Sequence, residues 1–271
     1  MSRSGQVETA ALPRPAENAG RVPGYFEHSR TPLVSLAFVL PFIVVYELGT
    51  GAHARAEAFR SAPQHIVAFT LLQQFFGVFG ATGRHLPAMA MAGILLAWHV
   101  ARHDPWRVRW TTLGGMAAEG TLLSVPLIGM GMIVAYLFHR APLAASPAGM
   151  AAIVATPSRD LLVLCLGAGI YEELVFRLIV LTVLSLVVKD LLLFSRTITG
   201  WTVVLISAVM FSAYHYLGAE AFHWQTAAGW RTFAFRTLAG IYFGVTFLTR
   251  GFGVTAATHA AYDILVLLAL P

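Results

Sequence analysis

Residues 161–188 read LLVLCLGAGIYEELVFRLIVLTVLSLVV, and inside this apolar run stand two adjacent glutamates and an arginine, Glu172, Glu173 and Arg177. A helix of about 20 apolar residues crosses a bilayer, so the run has the length of a transmembrane span. Ionised groups at such depth are costly unless paired or put to use, and an intramembrane cluster of them marks a functional site by default.

The whole composition agrees with a membrane setting. Of the 271 residues 57% are hydrophobic and 11% charged, against about 25% charged in a soluble domain, and the mean hydropathy is +0.70. The formal net charge of +5 is spread as single basic residues among apolar runs and tryptophan-marked edges. That pattern fits loop charges and anionic lipid and argues against nucleic acid as a partner. The single cysteine, Cys165, excludes an internal disulfide. Residues 1–31 are polar, rich in Pro, Gly, Glu and Arg, and lack the pattern of a cleaved signal peptide. They are expected to be a disordered cytoplasmic tail, followed by one transmembrane domain over 32–271.

Eight apolar runs follow, at about 32–50, 63–81, 85–101, 111–139, 160–188, 198–217, 232–249 and 252–270. They predict an all-α, polytopic membrane bundle of about eight helices. Pro41 is expected to kink the first of them. The second carries Gln64, Gln73 and Gln74 and could instead lie in the interface or inside the bundle. Its placement decides topology. Eight crossings put the Arg102, Arg107 and Arg109 loop on the face opposite the N-terminal tail, whereas seven return it to the tail's face.

Few polar groups lie deep in these runs: Glu119, Glu172, Glu173 and Asp263 among the acids, and His99, His215 and His259 among the histidines. Glu173 and Arg177, four residues apart, share a helix face and can pair. Glu172 points about 100° away and is left to face a cavity. Phe211 and His215 fall one turn apart on the next span, as do His259 and Asp263 on the last. Three helices can therefore aim polar groups at one centre, where a water held among Glu172, His215 and His259 could attack a carbonyl. His99 has no acidic partner at helical spacing, Glu119 is expected to make a hydrogen bond within the bundle, and Cys165 is expected to be a packing thiol.

Three motifs in order, Glu-Glu-x-x-x-Arg at 172–177, Phe-x-x-x-His at 211–215 and His-x-x-x-Asp at 259–263, resemble those of the CAAX prenyl endoprotease and bacteriocin-processing family of membrane proteases. The resemblance covers about residues 155–270. It implies a helical intramembrane peptidase without a cofactor, in which Glu172 activates water with help from His215, Glu173 and Arg177 support the site, and His259 with residue 263 stabilises the oxyanion. The implied substrate is a peptide or membrane-associated protein, and the implied location an integral, multi-pass protein of the plasma membrane. The prenyl-protein endoproteases have asparagine where this chain has Asp263, and an ionised aspartate cannot donate to an oxyanion. Asp263 would have to be protonated or else orient His259. Glu172, His215, His259 and Asp263 are also a ligand set suited to zinc, although His-Glu-x-x-His is absent. A transporter lined by the same groups and a non-catalytic membrane scaffold are the readings outside enzymology.

Overall fold

The computed structural model describes residues 23–53, 66–138, 158–191, 196–217, 223 and 225–268. Residues 139–157, between the fourth and fifth apolar runs, lie outside them, as do residues 1–22 of the expected tail. Every regular element among the described residues is helical. In lipid each backbone N–H and C=O must be satisfied within its own segment, so apolar runs of this length have one regular solution.

A single turn, α1 (Tyr25–His28), leads into α2 (Pro32–His53), followed by α3 (Val67–Val78), α4 (Leu86–Arg102) and α5 (Trp110–Leu137). The rod α6 starts as an α-helix over Ser158–Glu173, widens into π turns at Leu174–Leu181, returns to α at Thr182–Leu186 and ends in π turns at Val187–Leu191. Next come α7 (Arg196–Tyr214) with a 3₁₀ turn His215–Leu217, α8 (Ala227–Arg250) and α9 (Phe252–Leu268). Four of the helices, α2, α5, α7 with its 3₁₀ turn and α8, are long and apolar enough to cross a membrane. Pro41 and Pro126 are carried inside helices that remain unbroken.

Cross-contacts fix the direction of each rod. The end of α2 meets the start of α4, where the His85 imidazole hydrogen-bonds the Glu47 carboxylate. The chain between them, including α3, therefore returns to the end it left. At 12 residues α3 is about 18 Å long, short of a hydrocarbon core of about 30 Å. Among the described residues the expected count of about eight resolves into seven rods running the length of the bundle and one short helix, the segment whose glutamines made it the weakest candidate. The 102–110 loop accordingly lies beside the N-terminal residues: His28 Nε2 is 3.0 Å from the Arg107 carbonyl and Arg109 donates to the Pro23 carbonyl at 2.8 Å.

Residues 23–31, expected within a disordered tail, are ordered and packed, with His28 and Ser29 buried. Their anchor is Glu119 on α5, which accepts from Tyr25 at 2.6 Å and from two nitrogens of Arg250 at the end of α8. Burial, then the Glu119 carboxylate, push the Tyr25 hydroxyl up to about 12, so it stays a donor. This is the bundle hydrogen bond expected of Glu119, made to Tyr25 and Arg250 and not to residues 172–177. The α8–α9 turn beside it is closed by Gly251, whose φ of +84° favours glycine and whose N–H reaches the Phe247 carbonyl.

The centre of the bundle is α9. It packs on α2, α5, α6 and α8, and Phe252 through Ala260 are all buried. Small residues make this possible. A Cβ added at Gly120 of α5 would sit 2.4 Å from the Ala257 Cβ, and one added at Gly169 of α6 would sit 2.9 Å from the Ala256 carbonyl oxygen. Close approach through small side chains is the usual way helices associate in lipid, where no hydrophobic force drives them together.

Candidate active site

Where α6 changes from α to π winding it carries its charges. Glu173 and Arg177 are 0% exposed, and their Oε2 and Nε lie 3.1 Å apart. Arg177 also donates to the Gly240 carbonyl of α8 at 3.2 Å, and its guanidinium lies over the Phe211 ring at 4.4 Å and the Phe243 ring at 5.2 Å. An ion, a carbonyl and two ring faces thus replace part of the water lost by the guanidinium, whose Nε and Nη1 make no hydrogen bond. The other Glu173 oxygen is 2.7 Å from His259 Nδ1, so one carboxylate holds a cation on its own helix and an imidazole on α9.

The π turns have a local cost, and neighbouring hydroxyls meet it. Wider winding shifts carbonyls away from their α partners. Ser207 on α7 donates to the Phe176 carbonyl at 2.9 Å, and Thr182 reaches back to the Arg177 carbonyl at 3.4 Å.

His215 stands at the end of α7, where the helix tightens into its 3₁₀ turn. Its Nδ1 is 2.7 Å from the Phe211 carbonyl. A carbonyl only accepts, so Nδ1 carries the proton and Nε2 is left to face Glu172. This accounts for the Phe-x-x-x-His spacing: residue 211 supplies a carbonyl to the imidazole one turn on and a ring face to Arg177.

Glu172 Oε2 lies 4.0 Å from His215 Nε2 and 3.7 Å from His259 Nε2, with the Tyr214 hydroxyl in hydrogen-bonding reach. His259 Nε2 is also 3.6 Å from Asp263 Oδ2, and the imidazole stacks on Phe243 with centroids 4.6 Å apart. The two nitrogens of His259 thus meet different carboxylates. Glu173 contacts Nδ1 directly, while Glu172 and Asp263 stand off from Nε2 by more than a hydrogen bond. Separations of this size suit a bridging water. Asp263 has the most open side chain of the group, 28% exposed.

All six residues singled out in the sequence therefore come together: Glu172, Glu173, Arg177, His215, His259 and Asp263. Among the described residues no three His, Cys, Asp or Glu side chains form a group that could hold a metal ion. His99 is fully buried with the edge of its ring against Trp106, and Cys165 is a half-buried free thiol. Sequence reasoning assigned nothing to α8, yet Gly240 and Phe243 complete the enclosure of Arg177 and His259. A pointer was present in the glycines at 240 and 244 flanking Phe243, since helical glycines in an apolar run signal close approach.

Such a fold and centre define a class: an integral membrane protein, helical throughout its described residues, with an acid–imidazole site buried between its spans. Residues 155–265 match the family model described as type II CAAX prenyl endopeptidase Rce1-like, and over this stretch the chain is similar to the CAAX prenyl endopeptidase and bacteriocin-processing family. The match takes in all six site residues and leaves α1 to α5 outside it. No curated protein and no solved structure matches the chain.

Proposed function

We propose that the protein is an intramembrane endopeptidase in which Glu172 activates water against a peptide carbonyl. The observation that carries this reading is the gap between one Glu172 oxygen and two imidazole nitrogens, 3.7 and 4.0 Å, which accommodates a water touching all three. In this mechanism Glu172 removes one proton from the water while His215 Nε2 accepts a hydrogen bond from the O–H that remains, which aims an oxygen lone pair at the carbonyl carbon. As the new C–O bond forms, the carbonyl electrons collect on oxygen. His259 donates Nδ1–H to Glu173 and turns Nε2–H towards this oxyanion. Glu172 then passes its proton to the departing nitrogen, the C–N bond breaks, and a carboxyl group and an amine are released.

In this scheme Glu173 and Arg177 position other groups. Asp263 is the residue whose role departs from the family pattern, where asparagine supplies an N–H. Here the position of Glu173 on Nδ1 supports giving it the orientation of His259, and leaves Asp263 beside the oxyanion as a protonated donor. The substrate is a peptide segment of a membrane-associated protein, reached within the bilayer or at its surface.

The test is cleavage by the purified protein in detergent of a dansyl-labelled peptide ending in a farnesylated CAAX sequence. Glu172→Gln is expected to lower kcat by about 10³-fold or more with an unchanged thermal midpoint, and exhaustive chelation is expected to leave the parent activity intact. Full activity in Glu172→Gln would end the proposal, and loss on chelation with return on zinc would replace the glutamate mechanism by a zinc-dependent one.

A further inference from the structure

The base of the proposed reaction touches one group that the three motifs do not include. Tyr214 fills an unspecified place of Phe-x-x-x-His, and its hydroxyl hydrogen-bonds the Glu172 carboxylate. The two imidazoles stand off from the same carboxylate at 3.7 and 4.0 Å. An ionised carboxylate only accepts, so the phenol is the donor. The Tyr214 side chain is buried with the rest of the centre.

Local geometry explains how the neighbour of His215 reaches the same place. Consecutive residues of an α-helix point about 100° apart. Here α7 gives way to a 3₁₀ turn at His215, and the Tyr214 and His215 rings end with centroids 4.2 Å apart. The phenol ring also lies 4.6 Å from the Phe176 ring and 5.8 Å from that of Phe211. Phe176 stands about one turn past Glu172 on α6, so a ring seated against it is beside Glu172. Three rings thus hold the phenol in place before any substrate arrives.

We infer that Tyr214 is a positioning residue, whose hydroxyl holds the Glu172 carboxylate turned towards the gap between the imidazoles, ready to take the proton of the attacking water. This deepens the peptidase reading and rests on it, although the contact itself can be tested without turnover. The last torsion of a glutamate has a broad preference, and a carboxylate held by mobile water alone would swing within the gap. One donor on a rigid ring pins it, and small misplacements of a reacting group are costly in rate. Tyr214 occupies one lone pair and leaves the lone pair facing the imidazoles for the water proton. Once Glu172 carries that proton, Tyr214 keeps its own and still donates to the same carboxyl group, while the transferred proton goes on to the departing nitrogen.

The experiment has a kinetic arm and a spectroscopic one. On the dansyl-labelled farnesylated peptide, Tyr214→Phe is expected to lower kcat about tenfold to hundredfold, the scale of one hydrogen bond to a charged group, with KM and thermal midpoint unchanged. That split marks an interaction used in the chemical step and not in substrate binding. Placing para-aminophenylalanine at residue 214 restores an N–H donor on the same ring and should recover most of the rate. Parent kcat in Tyr214→Phe, or no rescue by the amino side chain, overturns the assignment. The second arm needs no turnover and uses protein carrying the heavy carbon isotope at tyrosine Cζ. The NMR resonance that disappears in Tyr214→Phe is expected to move in Glu172→Gln and to stay in place in Gly93→Ala. A resonance unmoved by Glu172→Gln overturns the contact. If it moves while the parent protein cleaves no peptide, the peptidase reading falls and the hydrogen bond stands.

Discussion

Glu172 and Glu173 are neighbours in the chain with different company. Glu173 is sealed between Arg177 and His259, while Glu172 faces a gap bounded by two imidazoles. The first arrangement is structural in its energetics. Removing one partner of a buried pair leaves an uncompensated charge and costs about 3–5 kcal/mol, so Arg177→Met is expected to lower the thermal midpoint in detergent sharply. Arg177→Lys should rescue little, because an ammonium cannot both reach the Gly240 carbonyl and spread over two rings. Asp263→Asn tests the opposite kind of role. An amide at that place donates to an oxyanion regardless of protonation, so activity should be retained or raised. A severe loss in a folded Asp263→Asn protein would instead mean that the carboxylate is needed to hold His259.

Among the elements, α9 and α6 set the geometry through their closest approach. Gly169 lies one turn before Glu173, and a Cβ there would meet the backbone nitrogen of Ala260 at 2.9 Å. Gly169→Val therefore has to push the helices apart beside the 2.7 Å Glu173–His259 contact. Overpacking of this kind costs about 1–3 kcal/mol, and the expected result is loss of cleavage alongside a modest fall in thermal midpoint. Gly93→Ala on α4, where a Cβ meets nothing within 4 Å, should leave both unchanged. The polar constellation could be read from the chain because charged residues in apolar runs are conspicuous and the helical repeat assigns them to faces. The share of α8 could not, since it contributes a backbone carbonyl and an aromatic face, which leave no mark in a charge pattern. Nor could α1, whose polar residues resemble a tail until Glu119 and Thr112 supply partners from α5.

For the whole molecule, the short α3 has the largest effect. Loop charges alone left the number of crossings undecided between odd and even; with Glu47 paired to His85 the described rods that run end to end are odd in number. Residue 23 and residue 268 therefore lie at opposite ends of the bundle. Reporter domains fused before residue 23 and after residue 268 are expected to score in opposite compartments, and agreement between them would contradict the seven-rod topology. The Glu173 carboxylate meets its imidazole 86 residues later in the chain, and Gly240, the acceptor for Arg177, follows 63 residues after that arginine. When α6 leaves the ribosome neither partner has been synthesised, so until α8 and α9 follow its charges have only the Glu173–Arg177 pair within the helix itself. Assembly of this centre is the last act of insertion.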